Sequence, residues 1–68
     1  MNNSQESYEY KARRSDIDNL ISELQETLTI KDGVFKEKED WEHVEDLNNV
    51  REYLTKAVKF AKASLDKW

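Results

Sequence analysis

The sequence predicts an all-α fold: an antiparallel helical hairpin that dimerises into a four-helix bundle. Two stretches of the chain repeat apolar residues at steps of three and four, which is the spacing of one helix face. The 68 residues include no proline and one glycine, which argues against a loop-rich or all-β fold. A chain of this length has a thin core, so we expect residues 1–68 to form a single small helical domain.

Composition excludes several classes of protein. No apolar run approaches the roughly 18 residues that a membrane span requires, so we expect no membrane partner. No basic segment followed by an apolar one marks a secretory signal, so we expect a cytoplasmic location. Because the chain has no cysteine, disulfides, thiolate metal sites and a cysteine nucleophile are excluded as well.

The first periodic stretch predicts a helix from about Ser7 to Thr29. Ser15 followed by Asp16 resembles an N-cap, but the residues before it contain no helix breaker, and Tyr10 continues the repeat. Residues 1–6 are polar without periodicity and are expected to be disordered. The apolar face of this helix consists of Tyr10, Ile17, Leu20, Ile21, Leu24 and Leu28.

The break between the two helices is predicted at residues 30–35, around Gly33. Glycine tolerates the positive φ that ends a helix or forms a tight turn. Two structures fit this segment, and the favoured one is a plain loop. The alternative is a short β-hairpin over residues 28–36, turned by Asp32-Gly33, which gives the order α-β-β-α.

The second periodic stretch predicts a long helix that begins after Asp40, a residue type suited to the N-cap. The mean step between its apolar positions is about 3.4 residues, close to the 3.5 of a left-handed coiled coil. Its apolar face consists of Trp41, Val44, Leu47, Val50, Leu54, Ala57, Val58, Ala61, Leu65 and Trp68.

Two helices alone form a poor domain, because the surface they bury does not offset the entropy of ordering them. Tyr53 and Phe60 lie seven residues apart beside the main face of the second helix and widen its apolar surface. We therefore expect a homodimer or docking on another protein. The predicted partner-binding residues are Trp41, Tyr53, Phe60 and Trp68, with Arg51, Lys59 and Lys62 at the rim.

Charge is distributed unevenly along the chain, whose net charge is −4. Residues 15–50 carry eleven acidic and three basic side chains, whereas residues 51–68 carry five basic and two acidic ones. Acids at the start of the second helix and lysines at its end complement the helix dipole, and the same distribution can steer a partner. The stripe formed by Arg51, Lys59 and Lys62 also suits phosphate contacts, but a pI near 4.9 argues against a nucleic-acid partner.

Few residues suit catalysis or metal binding. The sequence has one histidine, His43, and no serine in a glycine-rich turn with a base nearby, so we expect neither an enzyme nor a cofactor. Glu39 and Asp46 can share a helix face with His43, but Glu23 and Glu26 lie outside the apolar face of the first helix. We therefore expect His43 at the edge of the core and no metal site.

Part of the chain resembles a known family in layout. Residues 24–58 place Lys31-Asp32-Gly33 at a turn, followed by Asp46-Leu47 and Tyr53-Leu54. This order of helix, Asp-Gly hairpin and helix is similar to the small head-completion proteins that join head to tail in tailed phages. The resemblance implies a viral protein that serves as a structural assembly component.

The leading functional prediction is a small acidic protein–protein interaction module that acts as a regulator, adaptor or inhibitor and not as a catalyst. A phage head–tail joining protein is the first alternative. The second alternative is a nucleic-acid-binding module that uses the basic C-terminal helix.

Overall fold

The computed structural model describes residues 3–67, and these residues form two α-helices with no strand among them. Helix α1 spans Asn3–Glu37 and helix α2 spans Trp41–Leu65. The predicted all-α class is therefore confirmed. The chain divides into two units, residues 1–36 and 37–68.

Helix α1 is longer than predicted at both ends. It begins at Asn3, so residues 3–6, expected to be disordered, are helical, while Met1 and Asn2 lie outside the described residues. Two ion pairs between successive turns run along its first half. Arg13 Nη2 lies 3.0 Å from Glu9 Oε1, and Arg14 Nη1 donates to Asp18 Oδ1 at 2.7 Å. Exposed pairs at this spacing contribute about 0.3–0.5 kcal/mol each. The second pair spans Ser15, whose sequence context resembles an N-cap, and the helix continues through this residue.

The predicted break at residues 30–35 is wrong, and so is the alternative β-hairpin over residues 28–36. Both are helical, because α1 continues through Gly33 to Glu37 and Gly33 does not have a positive φ. An Asp-Gly hairpin turn requires positive φ, so this segment cannot contain one. Thr27 and Thr29, which suit a strand, instead donate their hydroxyls to the backbone oxygens of Glu23 and Gln25 within the helix.

The helical conformation of Gly33 removes the turn on which the resemblance to head-completion proteins depended. Glycine in a helix interior costs roughly 0.5–1 kcal/mol relative to alanine. This cost at a single position is too small to end a long helix. The apolar repeat also continues past it, since Phe35 follows Leu28 by seven residues. A head–tail joining role stays a prediction, now without its main structural feature.

The observed break covers residues 38–40, and Asp40 caps α2 as predicted. Asp40 is extended, with φ −117° and ψ 143°, and its Oδ1 accepts from the backbone N–H of Glu42 at 3.3 Å. Glu42 in the first turn and Lys62 in the last turn complement the helix dipole. At the other end the N–H of Asp66 donates to the carbonyl of Ala63 at 3.2 Å.

Replacing Gly33 with alanine is expected to stabilise α1 by about 0.5–1 kcal/mol, because alanine restricts the unfolded chain more and a Cβ at this position meets nothing within 4 Å. Urea unfolding followed by circular dichroism measures the change. Gly33→Pro serves as the opposite control and is expected to destabilise the helix. A loss of stability in Gly33→Ala would mean that residue 33 occupies a turn with positive φ.

Candidate functional site

The α2 seam is a row of side chains that alternates steps of three and four residues along the helix. Its apolar members are Val44, Leu47, Leu54, Val58, Ala61 and Leu65, and Arg51 occupies the charged position among them. Such steps average 3.5 residues, the repeat of a left-handed coiled coil. Leu54 exposes 43% of its surface and Val58 exposes 51%. The α2 seam thus has the pattern of a packed helix face, but solvent reaches it.

Helix α1 carries a second row of the same kind, the α1 seam. Its apolar members are Tyr10, Ile17, Ile21, Leu24, Leu28 and Phe35, and Arg14 and Lys31 occupy its charged positions. Leu24, Leu28 and Phe35 are half-buried, whereas Ile17 and Ile21 are exposed. Sequence reasoning missed Phe35 because it placed this residue in the break. The seven-residue spacing from Ile21 through Leu28 was the signal that would have found it.

The outer ridge of α2 consists of Tyr53 and Phe60, which are the most exposed rings of the helix. Tyr53 is 72% exposed and Phe60 is 77% exposed. Since each residue advances about 100° around the axis, both rings lie about 60° beyond the edge of the seam face marked by Val50 and Ala57. The structure thus places these two predicted contact residues together on one line, apart from the α2 seam.

The two tryptophans predicted as contact residues have different outcomes. Trp41 is the first residue of α2 and is 70% exposed. Its position is about 60° around the helix from Val44, on the side away from the other seam residues, so it does not continue the α2 seam. Trp68 lies outside the described residues.

The three residues of the predicted basic rim are all exposed. Lys59 and Lys62 lie in the C-terminal half of α2, whereas Arg51 lies near its middle and belongs to the α2 seam itself. Arg51, Glu52, Thr55, Lys56 and Lys59 line a shallow depression on the helix surface. The Thr55 hydroxyl donates to the carbonyl of Arg51 at 2.8 Å, so this donor is used within the helix. The Glu52 carboxylate in the same depression offsets part of its positive charge.

His43 lies in the first turn of α2 and is half-buried. The Asp40 carboxylate, three residues earlier, accepts a backbone hydrogen bond as the helix cap. Within residues 3–67 no group of three or more histidine, aspartate or glutamate side chains is arranged to hold a metal ion.

None of residues 5–67 is buried, whether apolar or charged. Within that range fourteen large apolar side chains, drawn from both helices, are exposed. Monomeric proteins seldom leave contiguous apolar surface open, and such surface marks an interaction site. Neither helix contains, over its described length, a stretch long and apolar enough to cross a membrane.

No protein-family model, no curated protein and no solved structure matches this chain.

Proposed function

We propose that this chain is a small helical protein–protein interaction module that acts as a regulator, adaptor or inhibitor rather than as a catalyst. The observation that carries the proposal is the pair of seams, each with coiled-coil spacing and each open to solvent. Helices in proteins owe most of their stability to the packing of such a face, because helix propensity alone is marginal in water. The seams therefore indicate that protein surfaces cover them in the working state.

The arrangement that covers both seams with this chain alone is the predicted one, an antiparallel hairpin that dimerises into a four-helix bundle. Four helices supply four seams that face a common core, and the 3.5-residue repeat matches the slight supercoil of such bundles. A homodimer of this kind is part of the proposal. The cytoplasmic location also stays a prediction, which cell fractionation tests.

The outer ridge supplies a contact for a second protein. Tyr53 and Phe60 lie beyond the edge of the α2 seam, so packing through that seam leaves them accessible. Large aromatic side chains contribute strongly to interface energies, since they remove much apolar area from water at little cost in side-chain entropy. Lys56 lies beside the ridge on α2 and favours an acidic partner.

The double variant Tyr53→Ser/Phe60→Ser is expected to lose partner binding while it keeps the helix content and the assembly state of the wild type. Affinity capture from a lysate of the source cells, followed by mass spectrometry, measures the first property. Circular dichroism and sedimentation measure the other two. Asn49→Ser, on the same side of α2 but without a ring, is the matched control and should capture the same proteins as the wild type. Equal capture by the double variant would exclude the ridge as the contact.

A second candidate function is nucleic-acid binding, which the depression lined by Arg51, Lys56 and Lys59 favours. Basic side chains gathered on one surface can neutralise phosphates, and such binding weakens steeply with salt. An electrophoretic mobility-shift experiment at low salt tests it. Retardation that disappears as salt is raised would support this candidate, and no retardation would remove it.

A further inference from the structure

The two halves of α2 have opposite charge. Residues 41–52 carry four acids and one base, a net charge of −3, whereas residues 53–65 carry three lysines and no acid, a net charge of +3. When two copies of this helix lie side by side, the direction of pairing decides which halves meet. A parallel pair sets like charges together along its whole length, whereas an antiparallel pair directs the acidic end of one copy toward the basic end of the other.

The position of Arg51 in the α2 seam also favours the antiparallel direction. In a parallel pair the same seam position meets itself, so Arg51 would face Arg51 of the second copy in the interface. In an antiparallel pair centred on residue 56, Arg51 faces Ala61, the smallest residue of the seam. Steric fit and charge therefore both favour the antiparallel direction.

The α1 seam lacks this complementarity. Arg14 and Lys31 occupy its charged positions, so a parallel pair of α1 helices sets each of them against its own copy. In the antiparallel pair centred between residues 22 and 23, Arg14 faces Lys31. Both directions place like charges opposite each other, although Arg14 is already paired with Asp18 at 2.7 Å. Among the two seams, α2 is thus the one suited to pairing with itself.

We propose that α2 is the homotypic interface of this protein, and that it pairs antiparallel with α2 of a second copy. The register sets Leu54 against Val58, Leu47 against Leu65 and Arg51 against Ala61, each contact occurring twice about the two-fold axis. Ala57 then lies next to its own copy beside that axis, where a small side chain allows close approach. A shift of seven residues toward the C-terminus shortens the overlap of the two helices and loses a seam contact. The same shift toward the N-terminus lengthens the overlap but sets Arg51 against Leu54, so the small side chain of Ala61 opposite Arg51 is what selects the proposed register. The inference rests on the proposed function, since it names the partner of one seam.

Three alanines that lie on different parts of α2 allow a direct test, because the chain has no cysteine of its own. Ala57→Cys, Ala61→Cys and Ala63→Cys are each mild changes in volume. In the proposed register the two copies of residue 57 are about 3 Å apart along the axis, those of residue 61 about 15 Å, and those of residue 63 about 21 Å. A short bis-maleimide crosslinker therefore joins two copies of Ala57→Cys and does not join the other two variants. Labelling with a monofunctional maleimide confirms that all three thiols react.

Efficient crosslinking of Ala61→Cys would overturn the inference, because the two copies of residue 61 meet in a parallel pair or in a shifted antiparallel register, but not in the proposed one. A dimer by sedimentation in which Ala57→Cys fails to crosslink would also overturn it, because the proposed register brings the two copies of residue 57 together. A monomer that still captures another protein would overturn the inference and leave the proposed interaction function intact. A monomer that captures nothing would contradict both.

Discussion

Leu54→Lys is expected to dissociate the protein and to remove most of the helical signal of α2 at micromolar concentration. Leu54 lies at the centre of the α2 seam, so in the packed state its side chain meets apolar groups from another helix. The substitution loses the burial of a leucine, about 1.5–3 kcal/mol, and places a charge in an apolar interface. Domains are stable by only about 5–15 kcal/mol in total, and small ones lie at the lower end of that range. Circular dichroism and sedimentation velocity on the same samples measure both effects.

The matched control for this variant is Asn49→Lys. It changes the net charge by the same amount, in the same helix and only five residues away, but about 160° around the axis from the seam centre, on the outer face of α2. We expect its helix content and its sedimentation to equal those of the wild type. Similar losses in the two variants would mean that added charge, and not the seam, is responsible.

Leu24→Lys is expected to have the second largest effect, which is loss of helix in α1 together with reduced thermal stability. Leu24 is half-buried and lies in the middle of the α1 seam. Without a packed face, α1 keeps only its intrinsic propensity and its exposed ion pairs, which are worth a few tenths of a kcal/mol each. Thermal unfolding followed by circular dichroism measures the change.

Ser22→Lys is the control for the α1 variant. Ser22 is exposed, and its position is about 160° around the axis from Leu24. We expect the Ser22→Lys variant to unfold at the same temperature as the wild type. An unchanged melt of Leu24→Lys itself would show that no protein surface covers the α1 seam.

The sequence was informative where one physical signal acted alone. The start of α2 follows from the chemistry of Asp40, whose short carboxylate satisfies a free N–H group, and the structure confirms it. The second half of α1 was predicted wrongly because two signals conflicted at Gly33. A single glycine suggested a turn, while the apolar repeat from Leu28 to Phe35 indicated a helix, and the repeat is the one that the structure follows.

The candidate surfaces were also predicted correctly in one respect and wrongly in another. The repeat in α2 identified the seam, because periodicity fixes which side chains share a face. The same repeat placed Trp41 on the apolar face, because Trp41 lies three residues before Val44. In α2, however, Trp41 lies off the seam face. The repeat does not specify which partner covers each seam. An apolar pattern specifies a face that needs covering, and the protein that covers it is determined by charges and shapes on both sides.

The central claim is that the open seams of this protein are covered by a second protein surface, which we propose to be another copy. Sedimentation equilibrium over a dilution series, with circular dichroism recorded at each concentration, tests it most directly. We expect a mass of twice the chain's 8.1 kDa at the higher concentrations, and a parallel loss of mass and helix content on dilution. A chain that stays monomeric, fully helical and cooperatively folded across the whole series would contradict this account.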